Sequence, residues 1–223
     1  MLYLVPTPIG NLADITLRAI DILRSVDLIA CEDTRTSAVL LSHHRVTTPT
    51  TSYHDHNERS KGPQLIDRMK SGQNIALITD AGSPGLSDPG FFLVRTCWEE
   101  EIHVEPLPGP TALIPALTAS GLPSDRFVFE GFLPTRKGRR KRLESISTET
   151  RTVVLYESPH RLIRTMRDLI HVVGGKRMGA IAREITKKFE EIHRNSLDNL
   201  LSFYEGKPSV KGEFVIILAP PQF

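Results

Sequence analysis

The first half of the chain repeats one grammar: a short apolar run, a polar or Gly/Pro-rich stretch, then apolar residues at helical spacing. Leu2-Tyr3-Leu4-Val5 leads through residues 6–11 to a helix capped by Asp14 or Thr16 and running through Ser25. Asp27-Leu28-Ile29-Ala30-Cys31 leads through 32–37 to the helical Ala38-Val39-Leu40-Leu41. A short strand near Thr51-Ser52-Tyr53 precedes a helix from about Gly62 to Ser71, and Ile75 to Thr79 leads through 80–90 to a helix reaching Cys97 and Glu100. Ile102 to Leu107 then turns through 108–112 into the apolar helix Leu113 to Ala119. Strands that alternate with helices must be joined by crossovers, which are right-handed. The fold class is therefore α/β, with a mostly parallel sheet and helices on both faces.

Gly121-Leu122-Pro123-Ser124-Asp125 clusters turn residues between two apolar segments and reads as a linker. Beyond it, strands are expected at 127–132, 152–156, 178–182, 190–193 and 213–218, with helices at 137–147, 160–173 and 197–204. Several of these strands lie within hairpin distance of each other, so a mixed sheet is expected. With 223 residues, two α/β domains, 1–120 and 121–223, are the simplest partition.

The net charge of +2 leaves any affinity for polyanions to local clusters. Cys31 and Cys97 fit a reduced protein, with a single disulfide left open. No apolar run reaches the roughly 18 residues of a membrane helix, and Met1 leads directly into a strand; the expected location is cytoplasmic, with no membrane partner.

In an open parallel sheet, ligands bind outside the carboxyl ends of the strands, so segments 6–11, 32–37, 80–90 and 108–112 are expected to converge on one site. The segment 80–90 holds three glycines and two prolines, which let backbone approach a ligand closely. Neither a Gly-x-Gly-x-x-Gly opening the first helix nor a P-loop is present. Glu32, Asp33 and Arg35 form either a structural ion-pair group or the acid/base groups and clamp of the crevice; Asp80 and Asp88 serve either chemistry or the turn. His54-Asp55-His56 is too compact to wrap one ion and has no further ligand at the right spacing, so no metal is expected and His54 and His56 read as substrate contacts. Arg136, Lys137, Arg139, Arg140, Lys141 and Arg142 put six cations into seven residues at a helix start, where the helix dipole opposes them. They read either as a solvated helix start or as the contact surface for an anionic partner such as RNA phosphate, which would compensate. Ser158 before Pro159 does not make a nucleophile elbow.

Taken in order, Leu4 to Leu12, Asp14 to Ala19, Glu32-Asp33-Thr34-Arg35, the loop from Asp80 to Gly90, Pro108-Gly109-Pro110, Tyr156 to Arg161 and Lys211-Gly212-Glu213 resemble the tetrapyrrole methylase (class III) superfamily of S-adenosylmethionine-dependent methyltransferases. The segments at Pro6 to Leu12 and Tyr156 to Arg161 resemble its ribosomal-RNA branch. The resemblance implies S-adenosylmethionine in a cleft between two α/β domains, a homodimer, and methylation of the ribose 2′-oxygen of a decoding-centre cytidine in 16S small-subunit rRNA, within the 30S subunit. It places Pro8, Gly82, Ser83, Leu86, Thr111, Ala112, Tyr156, Ala182 and Gly212 at the cofactor. Asp33 first and Asp80 second are the candidate proton acceptors, with Arg35, Arg183 or Lys187 steering phosphate or the alkoxide. A small tetrapyrrole-like substrate, or a non-catalytic RNA-binding role, are the alternatives. Relatives of this kind often continue past the last strand, whereas this sequence stops at Phe223; either the protein acts without such an extension or it has been shortened.

Overall fold

A computed structural model describes residues 1–223 and divides into two compact units, Met1–Thr111 and Ala112–Phe223. The division falls before the Gly121 linker, because the helix Leu113–Ala119 (α5) groups with the second unit.

The first unit holds strands β1 (Leu2–Leu4), β2 (Leu28–Cys31), β3 (Thr50–Ser52), β4 (Ile75–Ile78) and β5 (Val104–Pro106) in the order β3-β2-β4-β1-β5, all parallel. Its helices are α1 (Leu17–Ser25), α2 (Thr34–His43), α3 (Glu58–Lys70) and α4 (Phe91–Glu99). Alternation along the strands feeds two cores. Ile29, Cys31, Ala76 and Ile78 pack with Ala19 and Leu23 of α1 and with Leu40 and Leu41 of α2. Leu28, Ala30, Ile75 and Leu77 pack with Leu65 and Ile66 of α3 and with Leu93 and Cys97 of α4. A sheet buried on both faces requires such continuous apolar strands. Of the two candidate caps for α1, Thr16 serves: its hydroxyl accepts from the Ala19 amide at 3.1 Å. Cys31 and Cys97 are buried free thiols.

The second unit holds β6 (Phe127–Phe132), β7 (Thr152–Glu157), β8 (Met178–Arg183), β9 (Glu191–Ser196) and β10 (Phe214–Leu218) in the order β6-β7-β10-β8-β9. Only β6 and β7 run parallel; the other pairs are antiparallel, which makes the sheet mixed as expected. Helices α6 (Arg139–Thr148), α7 (Leu162–Val173) and α8 (Leu197–Glu205) cover one face through Leu143, Met166, Leu169 and Leu200, set against Val153, Leu155, Ile181 and Ile216. Strand alternation therefore turns Tyr156, Ala182 and Val215 to the opposite face. No helix in either unit is long and apolar enough to cross a membrane.

Candidate active site

Strands β1 and β4 are neighbours, yet the helices that follow them pack in different cores. Their loops part to opposite faces and leave a crevice at the strand ends. Hydrogen bonds tie the surrounding loops together. Thr7 and Gly82 exchange amide-to-carbonyl bonds, each of 2.9 Å. Ser83 Oγ donates to the Pro110 carbonyl at 3.1 Å, and the Asp33 amide donates to Asp80 Oδ1 at 3.2 Å. All four expected segments thus meet within the first unit.

Two glycines are required by this junction. A Cβ on Gly109 would lie 2.7 Å from Pro6 Cβ and 3.0 Å from Pro6 Cγ, atoms of a ring that cannot swing away. Gly109→Ala is expected to cost about 1–3 kcal/mol through overpacking, read as a lower denaturant midpoint with unchanged slope. Gly82 has φ +86°, and a Cβ there would meet only Ile9 Cγ2 at 3.6 Å. Its amide and carbonyl are both engaged by Thr7, so its backbone has no spare hydrogen bond for a ligand. Pro8 and Leu86 are half-buried in the same loops, and the division between units falls between Thr111 and Ala112.

The acidic residues are not equivalent. Asp33 caps α2: Oδ1 accepts from the Arg35 amide at 2.8 Å, while the Arg35 guanidinium donates to Oδ1 at 3.1 Å and to Oδ2 at 2.7 Å. These bonds hold the Asp33 carboxyl down at about 2, so the ion-pair arrangement is the one adopted and Asp33 is a weak base. Asp80 is shifted upward, by burial first and by the charge of Asp33. Burial followed by the charge of Asp80 also raises Glu32. Asp88 is pushed up to about 7 by burial, with Glu32, Asp55 and Asp80 adding like charge.

A carboxyl raised in the folded state favours folding below its unfolded pKa, and that advantage is lost as pH climbs through the folded value. For Asp88 the window runs from 3.8 to about 7. Asp88→Asn is expected to melt with the parent protein near pH 4 but to be more stable at pH 8, by about 1–2 kcal/mol after allowance for solvent screening. Thermal melts at the two pH values read the difference.

His54 Nε2 lies 3.1 Å from Asn57 Nδ2, and His56 is exposed. No group of three or more His, Cys, Asp or Glu side chains is arranged to hold a metal ion.

In the second unit, register aligns Phe132 with Tyr156, Tyr156 with Val215, and Val215 with Ala182, a single row across four strands. Gly212 precedes β10 and sits under Glu184, whose Cγ would be 2.5 Å from an added Cβ. Arg183 reaches Glu191 at 3.2 Å, and Lys187 bridges Glu184 at 3.0 Å and Glu213 at 2.8 Å. With Arg35 on Asp33, all three candidate steering cations are thus paired with carboxylates.

The basic run divides. Arg136, Lys137 and Lys141 are exposed. Arg140 pairs with Glu144 at 2.7 Å and Arg142 with Glu130 at 2.9 Å. Arg139 must be removed from the expected RNA contacts: it is 6% exposed and bonds Asp168 at 2.7 Å, Thr165 Oγ1 at 2.9 Å and the Pro134 carbonyl at 3.2 Å. Behind it stands Glu157, a residue whose role sequence reading missed. Glu157 is 2% exposed, accepts from Thr165 Oγ1 at 2.6 Å and the Ser158 amide at 2.9 Å, and pairs with Arg161 at 3.3 Å. Arg161 in turn donates to the Leu133 carbonyl. Two arginines therefore grip the root of the basic segment at consecutive carbonyls.

Residues 1–201 match the tetrapyrrole (corrin/porphyrin) methylases. A protein named ribosomal RNA small subunit methyltransferase I from Escherichia coli O157:H7 is 52% identical over 219 residues, covering 97% of this chain and 77% of that protein. One of the same name from Synechocystis is 51% identical over 221 residues, covering 98% and 78%. Among solved structures, a diphthine synthase superposes with a TM-score of 0.73 at 14% identity, covering 98% of this chain and 89% of that one. The Thermus thermophilus uroporphyrin-III C-methyltransferase complexed with S-adenyl homocysteine gives 0.65 at 18% identity, covering 99% and 98%. The structural likeness concerns the fold; the sequence likeness fixes the lineage. The chain belongs to the tetrapyrrole (corrin/porphyrin) methylase family.

Proposed function

We propose that the chain transfers a methyl group from S-adenosylmethionine to the ribose 2′-oxygen of a cytidine in 16S small-subunit rRNA, the one numbered C1402. The observation that carries this reading is the identity of about half of all positions, over nearly the whole chain, with proteins named for small-subunit rRNA methylation. The residues present fit the cofactor. Glu32, Asp80 and Asp88 lie close enough to repel one another, and a cationic group such as a sulfonium would relieve that repulsion. By the family resemblance, Pro8, Gly82, Ser83, Leu86, Thr111, Ala112, Tyr156, Ala182 and Gly212 are the residues that would hold it.

S-adenosylmethionine held there would supply a methyl group already activated by its sulfonium. What remains for the protein is alignment, worth up to roughly 7–11 kcal/mol, and removal of the 2′-hydroxyl proton. Of the two candidate bases, Asp80 is the one their surroundings favour. Asp80 is raised by burial and by the charge of Asp33, whereas Asp33 is held down at about 2 by Arg35. Asp33 then serves to cap α2 and to fix Asp80 through its amide. Arg136, Lys137 and Lys141 remain free to meet phosphate, with His54 and His56 as further RNA contacts. The assembled 30S subunit as substrate, a homodimer and a cytoplasmic site of action rest on the family resemblance.

Incubation with methyl-labelled S-adenosylmethionine and either unmethylated small subunits, free rRNA or a tetrapyrrole precursor tests the reading. Label is expected in the RNA. Label confined to the tetrapyrrole would assign the chain to small-molecule methylation, and no label with RNA still bound would make it a binding protein.

A further inference from the structure

We infer that the Phe132 ring is a stacking platform for one unpaired base of the RNA, with the adjoining phosphates met by Arg136 and Lys137. This deepens the rRNA reading and rests on it. Phe132 ends β6, an edge strand, and leaves half of its surface, 50%, exposed. The exposed ring is nonetheless fixed. Its centroid lies 5.7 Å from that of Tyr156 at 64°, and Phe129 supports Tyr156 from 4.9 Å at 70°. A register shift between Phe129 and Gly131 brings Phe132 level with Tyr156, as bulges do when they re-aim a side chain. A rigid aromatic loses little conformational freedom when a second ring lies on it.

Position supports the same role. Phe132 begins the row that continues through Tyr156 and Val215 to Ala182, two of which are proposed cofactor contacts. A base on Phe132 would therefore lie next to the methyl donor. On its other side the chain runs directly into the basic segment. That segment is anchored at Leu133 by Arg161 and at Pro134 by Arg139, and Arg142 ties α6 back to Glu130 of β6 at 2.9 Å. An exposed aromatic beside unpaired cations matches a strand that offers π-faces and phosphates together. A duplex hides those faces, which leaves single-stranded RNA as the partner.

The test uses a single-stranded oligoribonucleotide carrying 2-aminopurine, together with Phe132→Leu, Phe132→Tyr and the double variant Arg136→Ala/Lys137→Ala. The parent protein is expected to quench the fluorescence. Phe132→Leu should lose the quench and bind about tenfold more weakly, with unchanged salt dependence and unchanged S-adenosylmethionine affinity. Phe132→Tyr should retain both properties, while the double variant should flatten the salt dependence. Parental behaviour of Phe132→Leu, failure of Phe132→Tyr to retain binding, or a parallel fall in cofactor affinity would each overturn the inference. Methyl transfer by the parent protein is read separately: its absence with quenching intact would defeat only the rRNA methyltransferase reading, and its presence with no effect at Phe132 would defeat only this one.

Discussion

Replacing Glu157 by alanine is expected to lower the free energy of unfolding by about 3–5 kcal/mol, measured as a large fall in denaturant midpoint. The carboxylate is buried at the end of β7 with Arg161 beside it, and Thr165 bridges it to Arg139, which is also buried. Removing the acid leaves the partly buried Arg161 guanidinium without its carboxylate and the Thr165 hydroxyl and Ser158 amide without their acceptor, which costs more than the pair itself contributes. Glu157→Gln should fall between the two, because the amide oxygen can still accept from Thr165 or from Ser158. The consequence extends to RNA binding. With the Leu133 and Pro134 carbonyls released, Arg136 and Lys137 would sit on a looser root. An unchanged midpoint for Glu157→Ala would show that the network is not holding this corner.

Asp80→Asn is expected to slow single-turnover methyl transfer by about 10²- to 10⁴-fold, the usual contribution of a positioned general base. S-adenosylmethionine affinity should change little, since the substitution keeps size and an oxygen able to accept from the Asp33 amide. The distinction from Asp33 is electrostatic. Asp33 is bonded three times by one arginine, whereas Asp80 takes a single backbone amide and is pushed upward by burial and by Asp33 itself. Single-turnover rates unaffected by Asp80→Asn would return the proton acceptor to another crevice group.

Part of this arrangement is legible in the sequence. The parallel sheet and the convergence of its four loops follow from strand-loop-helix repetition, because crossover handedness leaves few alternatives. Helix α3 was less legible. Gly62-Pro63 looks like a boundary, yet the helix begins at Glu58 and carries Pro63 inside it. Gly62 is explained by Phe92, whose ring would come within 3.0 Å of an added Cβ. A contact between α3 and α4 leaves no local trace in sequence. The same holds for the basic run. Composition treats its cations alike, but Arg139 is drawn inward by Asp168 and Thr165, which lie on a helix more than twenty residues away. Asp33 and Arg35 were visible as a pair with two readings, and only the bond geometry selects the cap and ion pair. The row from Phe132 to Ala182 depends on register between four strands, which spacing along the chain does not encode.

The most direct test of the account is to digest small-subunit rRNA, labelled by this protein with methyl-labelled S-adenosylmethionine, to nucleosides and to identify the labelled one by mass. The expected product is 2′-O-methylcytidine from a single site. Label on a nucleobase, on a ribose other than cytidine's, or on no nucleoside at all would contradict it.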